Sequence, residues 1–496
     1  MSDAARTPVI VGVGQINDRS EDVASALDSF GLMRAALESA DQDAGGGWLR
    51  EMDAIAVVDQ LSFPQLTEIP ERLAAAFGAA PRLCTKTRYP SGESPVLLLN
   101  EAAERIRAGE SEIAVVVGGE ALRTAARRAQ AAPGERNAVR DAAARSARPL
   151  RQKYGLVAPT DIYPLYENAS RAAFRQTLEE AQRESAEIWS RLSEVAAANE
   201  HAWLRKAVTP EEVLTPSAHN RPIAFPYTKL MVANASVNQG AGFIVASLAK
   251  ARAMRTPEER LIFVGHGAAA REPSDVLSRE GYTRSIALET ALLKCLEVNV
   301  LGAGDLDAVE LYSCFPCVPK LARRVLDWPV DRPMSVAGGL TFAGGPVGNY
   351  MSHAIAAMTE RLRGEARTGL LFGNGGFANT NHCIVLTREP NAHAAQSRAF
   401  DFQTDADERR SAAPELIEDY AGPGRVETYT IFYDREGAAR FGVVVARTPG
   451  GARFLARVEG RDEDTLGRLT SATAEPVGAD GVSLRHDDGL CRWRFT

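Results

Sequence analysis

The sequence has little cysteine for its length: six residues among 496, scattered at positions 84, 295, 314, 317, 383 and 491. Such a sparse set does not predict a disulfide framework and is typical of a reduced compartment. A basic surplus is also missing, because 57 Lys and Arg stand against 64 Asp and Glu, for a net charge of −7. Proteins that bind nucleic acid normally carry such a surplus, so the charge argues against that class.

Long apolar runs are absent as well. No stretch approaches the ~20 residues that a membrane-spanning helix needs. The first residues, MSDAARTPVIVGVGQ, lack the basic and apolar regions of a secretory signal. We therefore expect a cytoplasmic protein with no membrane span. Its length of 496 residues predicts about three domains.

Four patterns and a polar linker divide the chain. Residues 1–122 alternate short β-branched strands with amphipathic helices, as a buried parallel sheet does. Residues 123–233 predict a helical insertion with one long polar helix from Ala169 to Ala207, and residues 234–392 return to the α/β pattern. The linker, residues 393–419, leads to residues 420–496, where alternation of period two and Gly-containing turns predict a small OB-like β domain.

Two segments of the α/β regions repeat one arrangement. The segments that begin at Ser91 and at Ala343 each run from a Gly-containing turn through a helix and an apolar strand to a pair of glycines. Self-similarity of this kind indicates a duplicated structural unit. It predicts two similar α/β halves packed face to face.

Four motifs in the right order carry a resemblance to a known family. They are NASVNQGAGFIV from Asn234, VELYSCFP from Val309, GGLTFAGGPVGNYM from Gly338 and LLFGNGGF from Leu370. Together they resemble the thiolase superfamily, and most of all its sterol-carrier and lipid-transfer branch, over roughly residues 5 to 390. The resemblance implies a two-fold repeated βαβαβ core of five α/β/α/β/α layers with a helical loop insertion. The OB-like β domain would be an addition to it.

The chain departs from the family at its four reacting positions. Tyr89 stands where thiolases have the nucleophilic cysteine, and a phenol cannot form the thioester intermediate. Gly345 replaces the activating histidine, Gly373 the second cysteine, and Tyr312 the residue that orders an oxyanion-binding water. Ordinary thiolysis or Claisen condensation is therefore not expected, although the family's geometry would still suit enolate chemistry such as retro-aldol cleavage.

The candidate catalytic residues are Tyr312 and Tyr350, because the lipid-transfer branch includes aldolases in which tyrosines replace the thiolase groups. A tyrosine acid or base needs its pKa moved from about 10 by its surroundings. The alternative is that both phenols only fill volume. The candidate substrate-binding residues are Tyr89, Ser91, Cys314, Gly344, Gly345, Gly373, Asn374 and Gly375. Among these, Ser91 opens a helix whose free N–H groups favour an oxyanion, and the GNGG turn allows close approach of a carbonyl.

Cys314 and Cys317 have the C-x-x-C spacing of a redox dithiol or of half a zinc site. No second C-x-x-C completes a zinc site, and the resemblance makes Cys314 mostly a packing residue, so no metal is expected. The arginine-rich stretch from Arg123 to Lys153 falls in the insertion that holds coenzyme A in thiolases. Its arginines are predicted either to pair with the nucleotide phosphates or to form a solvated helix face.

Three functions stay open from the sequence. The first is an enzyme on acyl-CoA thioesters, of acyltransferase or aldolase type, and the second is a non-catalytic acyl-CoA or lipid binder. The third is a scaffold subunit that pairs with another thiolase-like chain. The expected ligand is coenzyme A as its acyl thioester, with no nucleic acid, and the expected assembly is a monomer or homodimer. The β domain is expected to serve as a lid or docking element.

Overall fold

A computed structural model describes residues 3–131, 149–394 and 396–496. In chain order the helices are α1 Ser29–Asp43, α2 Ile69–Ala76, α3 Ser94–Ala108, α4 Leu122–Ala131, α5 Leu150–Lys153, α6 Pro159–Ala173, α7 Leu178–Ala198, α8 Pro210–Leu214, α9 Leu248–Ala253, α10 Ile286–Val298, α11 Cys317–Val325, α12 Tyr350–Arg363, α13 Gln403–Arg409 and α14 Glu463–Leu469. The strands are β1 Pro8–Asn17, β2 Ala54–Val57, β3 Leu83–Lys86, β4 Ile113–Glu120, β5 Pro222–Ala224, β6 Tyr227–Thr228, β7 Gln239–Ser247, β8 Ile262–Arg271, β9 Ala308–Glu310, β10 Thr368–Gly375, β11 Thr380–Thr387, β12 Gly422–Tyr433, β13 Ala439–Arg447, β14 Arg453–Glu459, β15 Asp480–Arg485 and β16 Cys491–Phe495.

The central sheet is mixed, and within the described ranges its strand order is β3-β2-β4-β7-β1-β8-β11-β10-β9. Each half contains a central antiparallel pair, β4 with β7 and β10 with β11. A parallel strand flanks each pair on one side, β2 or β9, and an antiparallel strand on the other, β1 or β8. The halves meet where Val9 lies opposite Phe263 and Ile10 opposite Ile262. This symmetry confirms the predicted two-fold repeat of the α/β core.

The strands of this sheet are apolar because both faces are covered. All eight residues of β4 and all nine of β7 are buried. Such strands read as continuous apolar runs rather than as alternating ones. That is why they could be recognised from sequence.

The two repeated helices position the candidate site. Helices α3 and α12 pack against each other and against strands of both halves of the sheet. The loops that precede them also touch, since a Cβ on Gly348 would lie 2.6 Å from Cβ of Pro90. The starts of both helices are therefore held side by side at the centre of the molecule.

The C-terminal strands close into a barrel in the order β12-β13-β14-β16-β15, and β15 pairs with β12 to complete it. Helix α14 lies between β14 and β15 in the chain, and β14 runs parallel to β16. This closed five-stranded barrel is consistent with the predicted OB-like domain.

The helical insertion differs from its prediction in two ways. The single helix expected from Ala169 to Ala207 is two helices, α6 and α7, because Arg175 takes a left-handed backbone with φ of 57°. Thr177 and Glu180 then form a reciprocal capping box that starts α7. The insertion also contributes strands β5 and β6, which extend the barrel sheet where Ala224 lies opposite Phe432.

The barrel is fixed to the α/β core through buried polar contacts. Arg453 is fully buried and donates to the carbonyl oxygens of Leu277 and Arg279, both at 2.6 Å, and to the Glu427 carboxylate. Helix α6 packs along β12, where Thr428 donates to the carbonyl of Leu165. The barrel and the core therefore share one continuous packed interior.

Candidate functional site

The loop before α3 holds a buried hydroxyl and a buried carboxyl. Ser91 Oγ donates to Glu93 Oε2 at 2.5 Å, and Thr380 Oγ1 lies 3.4 Å from the same hydroxyl. Burial raises the pKa of Glu93. The helix begins at Ser94 and not at Ser91. Ser91 is therefore a partner of Glu93 rather than the helix-opening residue that the sequence predicted.

Tyr312 lies directly over this loop. A Cβ on Gly92 would sit 1.9 Å from Tyr312 Oη, so the hydroxyl touches the Gly92 backbone. Tyr312 has a left-handed φ of 54°, a backbone that costs a bulky residue about 1–3 kcal/mol. Burial raises its pKa well above the ordinary value, and nearby Cys314, Glu93 and Glu310 add to the effect. The phenol therefore stays protonated at neutral pH and can donate a hydrogen bond, but it cannot serve as a base.

Tyr350 belongs to a second buried cluster. Its hydroxyl accepts from the N–H of Gly339 at 3.1 Å and lies 3.3 Å from Ser335 Oγ. Ser335 in turn donates to Glu310 Oε2 at 2.5 Å. Burial raises the pKa of Glu310 to about 7, and Oε1 of this carboxyl has no hydrogen-bond partner within the described residues. The rings of Tyr350 and Tyr312 pack edge to face with their centroids 6.1 Å apart. The two clusters therefore touch through these rings and not through the hydroxyls.

The glycines of the GNGG motif press directly on the Glu93 loop. A Cβ on Gly373 would lie 2.8 Å from Glu93 Cα, and a Cβ on Gly375 would lie 1.9 Å from Glu93 Oε2 and 2.0 Å from Ser91 Oγ. Both glycines lie in strand β10, and the turn starts only at Gly376, whose φ is 60°. The motif is thus the end of a strand rather than the predicted turn. Its close contact is with Glu93.

Asn374 faces a tyrosine that the sequence did not single out. Tyr163 Oη donates to Asn374 Oδ1 at 3.0 Å and accepts from the N–H of Ala378 at 3.1 Å. The Asn374 amide donates to Asn381 at 2.8 Å. The Tyr163 ring stacks on Phe315 with centroids 4.4 Å apart. Asn374 is therefore a structural tie between β10, β11 and the insertion.

Cys314 and Cys317 are both free and buried. Burial raises the pKa of Cys314 to about 12 and that of Cys317 well above its ordinary value. The Cys317 thiol donates to the carbonyl of Tyr163 at 3.6 Å. Reactive cysteines need a lowered pKa and some exposure. These properties favour packing residues over a redox dithiol.

The other glycine loop is held by the segment that enters β7. Gly344 has a φ of 105°, and a Cβ there would lie 2.1 Å from Gln239 Oε1. The N–H of Gly345 donates to the carbonyl of Asn234 at 2.8 Å. This N–H is consequently not free for an oxyanion.

An open cavity of about 380 Å³ reaches the Glu93 loop from outside. Ser91 and Glu93 lie on its wall together with Lys86 and Arg88 of the edge strand and the loop after it. Tyr89 also lines the cavity but is 57% exposed. Tyr89 thus lies at the rim of the cavity, while the buried carboxyl of Glu93 lies deeper.

The arginine-rich stretch is described only in part, since residues 132–148 lie outside the described ranges. Arg127 pairs with Glu21 at 3.0 Å, and Arg128 donates to the carbonyl of Ala26 at 3.0 Å. Arg151 donates to the carbonyl of Leu156 at 2.6 Å. These three guanidinium groups bind protein groups in the structure.

The described residues contain neither a metal-binding cluster nor a membrane-spanning helix. No three His, Cys, Asp or Glu side chains come together as a metal-binding group. No helix there combines the length and the hydropathy needed to cross a membrane.

Residues 405–488 match the family described as thiolase-like protein type 1 additional C-terminal domain. The crystal structure of a monomeric SCP2-thiolase-like protein type 1 from Mycobacterium smegmatis is 29% identical with a TM-score of 0.83, and the match covers 99% of both chains. Over its whole length the chain is therefore similar to a thiolase-like protein of the sterol-carrier type that has an additional C-terminal domain. No curated protein matches it.

Two further solved structures share the fold of this thiolase-like protein. One is the Ltp2-ChsH2(DUF35) aldolase, 16% identical with a TM-score of 0.59, covering 78% of this chain and all of that one. The other is human mitochondrial 3-ketoacyl-CoA thiolase in complex with CoA, 14% identical with a TM-score of 0.57, covering 77% and 98%. At this identity they show the fold alone.

Three side chains of the site, Glu93, Glu310 and Tyr163, are not among the candidates that the sequence predicts. Glu310 is the second letter of VELYSCFP, and an acid inside an apolar strand was a signal available in the sequence. Tyr163 lies in the insertion, 211 residues from its partner Asn374, and nothing local marks it.

Proposed function

We propose that this thiolase-like protein acts on acyl-CoA thioesters without a cysteine nucleophile, and that retro-aldol cleavage is the reaction its site supports best. One observation carries the proposal: the Tyr312 hydroxyl touches Gly92 beside the buried carboxyl of Glu93. A phenol that stays protonated and a carboxyl with a raised pKa form an acid and base pair. They stand at the loop that holds the nucleophile in thiolases.

In this proposal Glu93 is the base and Tyr312 is the hydrogen-bond donor. The Glu93 carboxylate takes the proton of the substrate's β-hydroxyl, and the Cα–Cβ bond breaks with its electron pair passing into the thioester as an enolate. Tyr312 Oη–H donates to the developing enolate oxygen. Return of the proton to Cα gives an aldehyde or ketone and a shortened acyl thioester.

The open cavity is the proposed route for the thioester. Arg88 on its wall offers positive charge at the outside, whereas Lys86 is paired with Asp59 at 2.9 Å, and Ser91 and Glu93 lie at its inner end. The human thiolase was solved with CoA bound, and another neighbour is described as an aldolase. Both support coenzyme A as the carrier and C–C cleavage as the chemistry.

Tyr350 is proposed as a positioning residue and not as a catalytic one. Its hydroxyl and that of Ser335 join the Glu310 carboxyl to the turn at Gly339. This cluster supports the ring of Tyr312 from behind. We further propose a monomer, as the related M. smegmatis protein is described. A cytoplasmic location is also proposed, because all six cysteines are free.

A non-catalytic acyl-CoA binder is the second candidate function. It is favoured by the way Tyr312 occupies the space over Gly92, where a substrate carbonyl would otherwise approach. In this case the phenol replaces the reacting atoms instead of serving them. The cavity outside would still accept the nucleotide part of the ligand.

Binding and turnover separate these functions. The full chain is titrated calorimetrically with coenzyme A and a medium-chain 3-hydroxyacyl-CoA, and free aldehyde is then assayed. We expect micromolar binding, and turnover that Tyr312→Phe abolishes while binding is kept. Tyr433→Phe, in the distant barrel strand β12, is the matched control and should keep turnover.

The other outcomes are equally informative. Micromolar binding with no aldehyde from the wild type would identify the binder. No heat from a well-folded protein would refute both candidate functions. For the enzyme, the rate should rise with pH as Glu93 ionises, over a range above the ordinary carboxyl pKa. Glu93→Gln should remove that dependence together with the activity.

A further inference from the structure

A wide open cavity lies on the C-terminal barrel, outside the candidate site. It measures about 850 Å³ and is formed by β14, the start and one face of α14, the residue after β15 and strand β16. This volume is within the range of small-molecule sites, about 300–1,000 Å³. None of its lining residues belongs to the acid and tyrosine clusters of the core.

The cavity is basic in a protein that is acidic overall. Its wall carries five arginines against three carboxylates, whereas the whole chain has a net charge of −7. The five arginines are Arg457, Arg461, Arg468, Arg492 and Arg494. Such a local surplus raises the concentration of anions at one place on the molecule.

Two of the carboxylates are already engaged. Glu459 pairs with Arg492 at 2.7 Å and with Arg457 at 3.3 Å. Asp462 caps α14 by accepting from the N–H of Thr465 at 3.2 Å. Glu459 therefore pairs with the two less exposed arginines of the cavity. The three exposed arginines form no ion pair with an Asp or Glu side chain in the described residues, and Arg468 donates only to the Thr496 backbone oxygen at 3.4 Å.

The exposed arginines are Arg461, Arg468 and Arg494. They come from the loop before α14, from α14 itself and from β16, so the fold brings them together from separate parts of the chain. Arg468 also lies over the Phe495 ring at 4.2 Å, which orients its guanidinium plane. Planar guanidinium groups bind phosphate oxygens in pairs of parallel hydrogen bonds.

We infer that this cavity binds a small organic or inorganic molecule with two or more linked phosphate groups. Several converging arginines fit several adjacent phosphates better than they fit one carboxylate. A nucleic acid strand is not favoured, because the adjoining segment VEGRDEDTLG is acidic, whereas a groove for a single strand is basic.

Calorimetric titration of the full chain with inorganic pyrophosphate and with ADP tests the inference. We expect both to bind the wild type. Their affinity should fall about tenfold or more in the double variant Arg461→Gln with Arg494→Gln, because two charge-assisted contacts are lost. Tighter binding of ADP than of pyrophosphate would identify a nucleotide as the source of the phosphates. Equal binding would identify the diphosphate itself.

The matched control removes the same charge from the same barrel. Arg435 and Arg440 are exposed in and just after the β12–β13 turn and do not line the cavity. Arg435→Gln with Arg440→Gln should leave the affinity unchanged. An equal loss in both double variants, or no binding by a folded wild type, would overturn the inference. So would a single-stranded oligonucleotide that binds more tightly than either diphosphate.

Discussion

The Glu310 carboxyl gives the sharpest prediction. It is fully buried, it accepts from Ser335 at 2.5 Å, and its pKa is raised to about 7 from an ordinary 4.5. Glu310→Gln replaces it by a group of nearly the same shape that cannot ionise. The substitution keeps an acceptor for Ser335 and removes only the titration.

The magnitude follows from the separation of the two pKa values. Between pH 4.5 and pH 7 the folded state binds the proton and the unfolded state does not, so the contribution of Glu310 is fully present below pH 4.5 and is lost as pH rises through 7. Each pKa unit is worth about 1.4 kcal/mol, which makes the whole loss about 3 kcal/mol. Glu310→Gln has no such loss. Its free energy of unfolding relative to that of the wild type should therefore rise by about 2–3 kcal/mol from pH 5 to pH 8.

Urea unfolding of both proteins at pH 5 and pH 8, followed by circular dichroism, measures this difference. Comparing the two proteins at each pH cancels every other titrating group. The quantity of interest is the change in their difference, and not either free energy of unfolding alone. If that difference is the same at both pH values, the Glu310 carboxyl does not titrate in this window and the reasoning is wrong.

Three further changes test the packing around the site. Lys320→Met should lower the free energy of unfolding by about 3–5 kcal/mol, because Glu167, 2.5 Å from Lys320, would be left buried without its cation. Adding Glu167→Gln should recover part of this loss in the same urea assay. Gly92→Ala should destabilise the protein by about 1–3 kcal/mol or more, because its Cβ would lie 2.1 Å from the Asn374 carbonyl oxygen. An unchanged melting temperature would contradict this contact. Thr177→Ala removes the cap of α7 and should cost about 1 kcal/mol, whereas Thr177→Ser should cost little.

Much of the fold could be read from local patterns. The β4 run of Val116 and its neighbours predicted a buried strand, the repeat starting at Ser91 and Ala343 predicted the two halves, and alternation after residue 420 predicted the barrel. These signals succeed because a strand covered on both faces needs unbroken apolar residues, while a half-buried one needs alternation. The break between α6 and α7 was missed, although Thr177 with Glu180 spells a capping box.

The candidate site depended on contacts that no local pattern contains. The sequence by itself determined that position 89 holds a phenol and position 345 no side chain, because residue type alone decides which chemical groups a position can offer. Tertiary structure decided that Tyr312 lies on Gly92 and that Glu93 is buried beside it. A pKa follows from burial and neighbours, and these come from strands and helices far apart in the chain. The sequence therefore sets which side-chain groups the chain has, and only the folded chain shows which of them lie together.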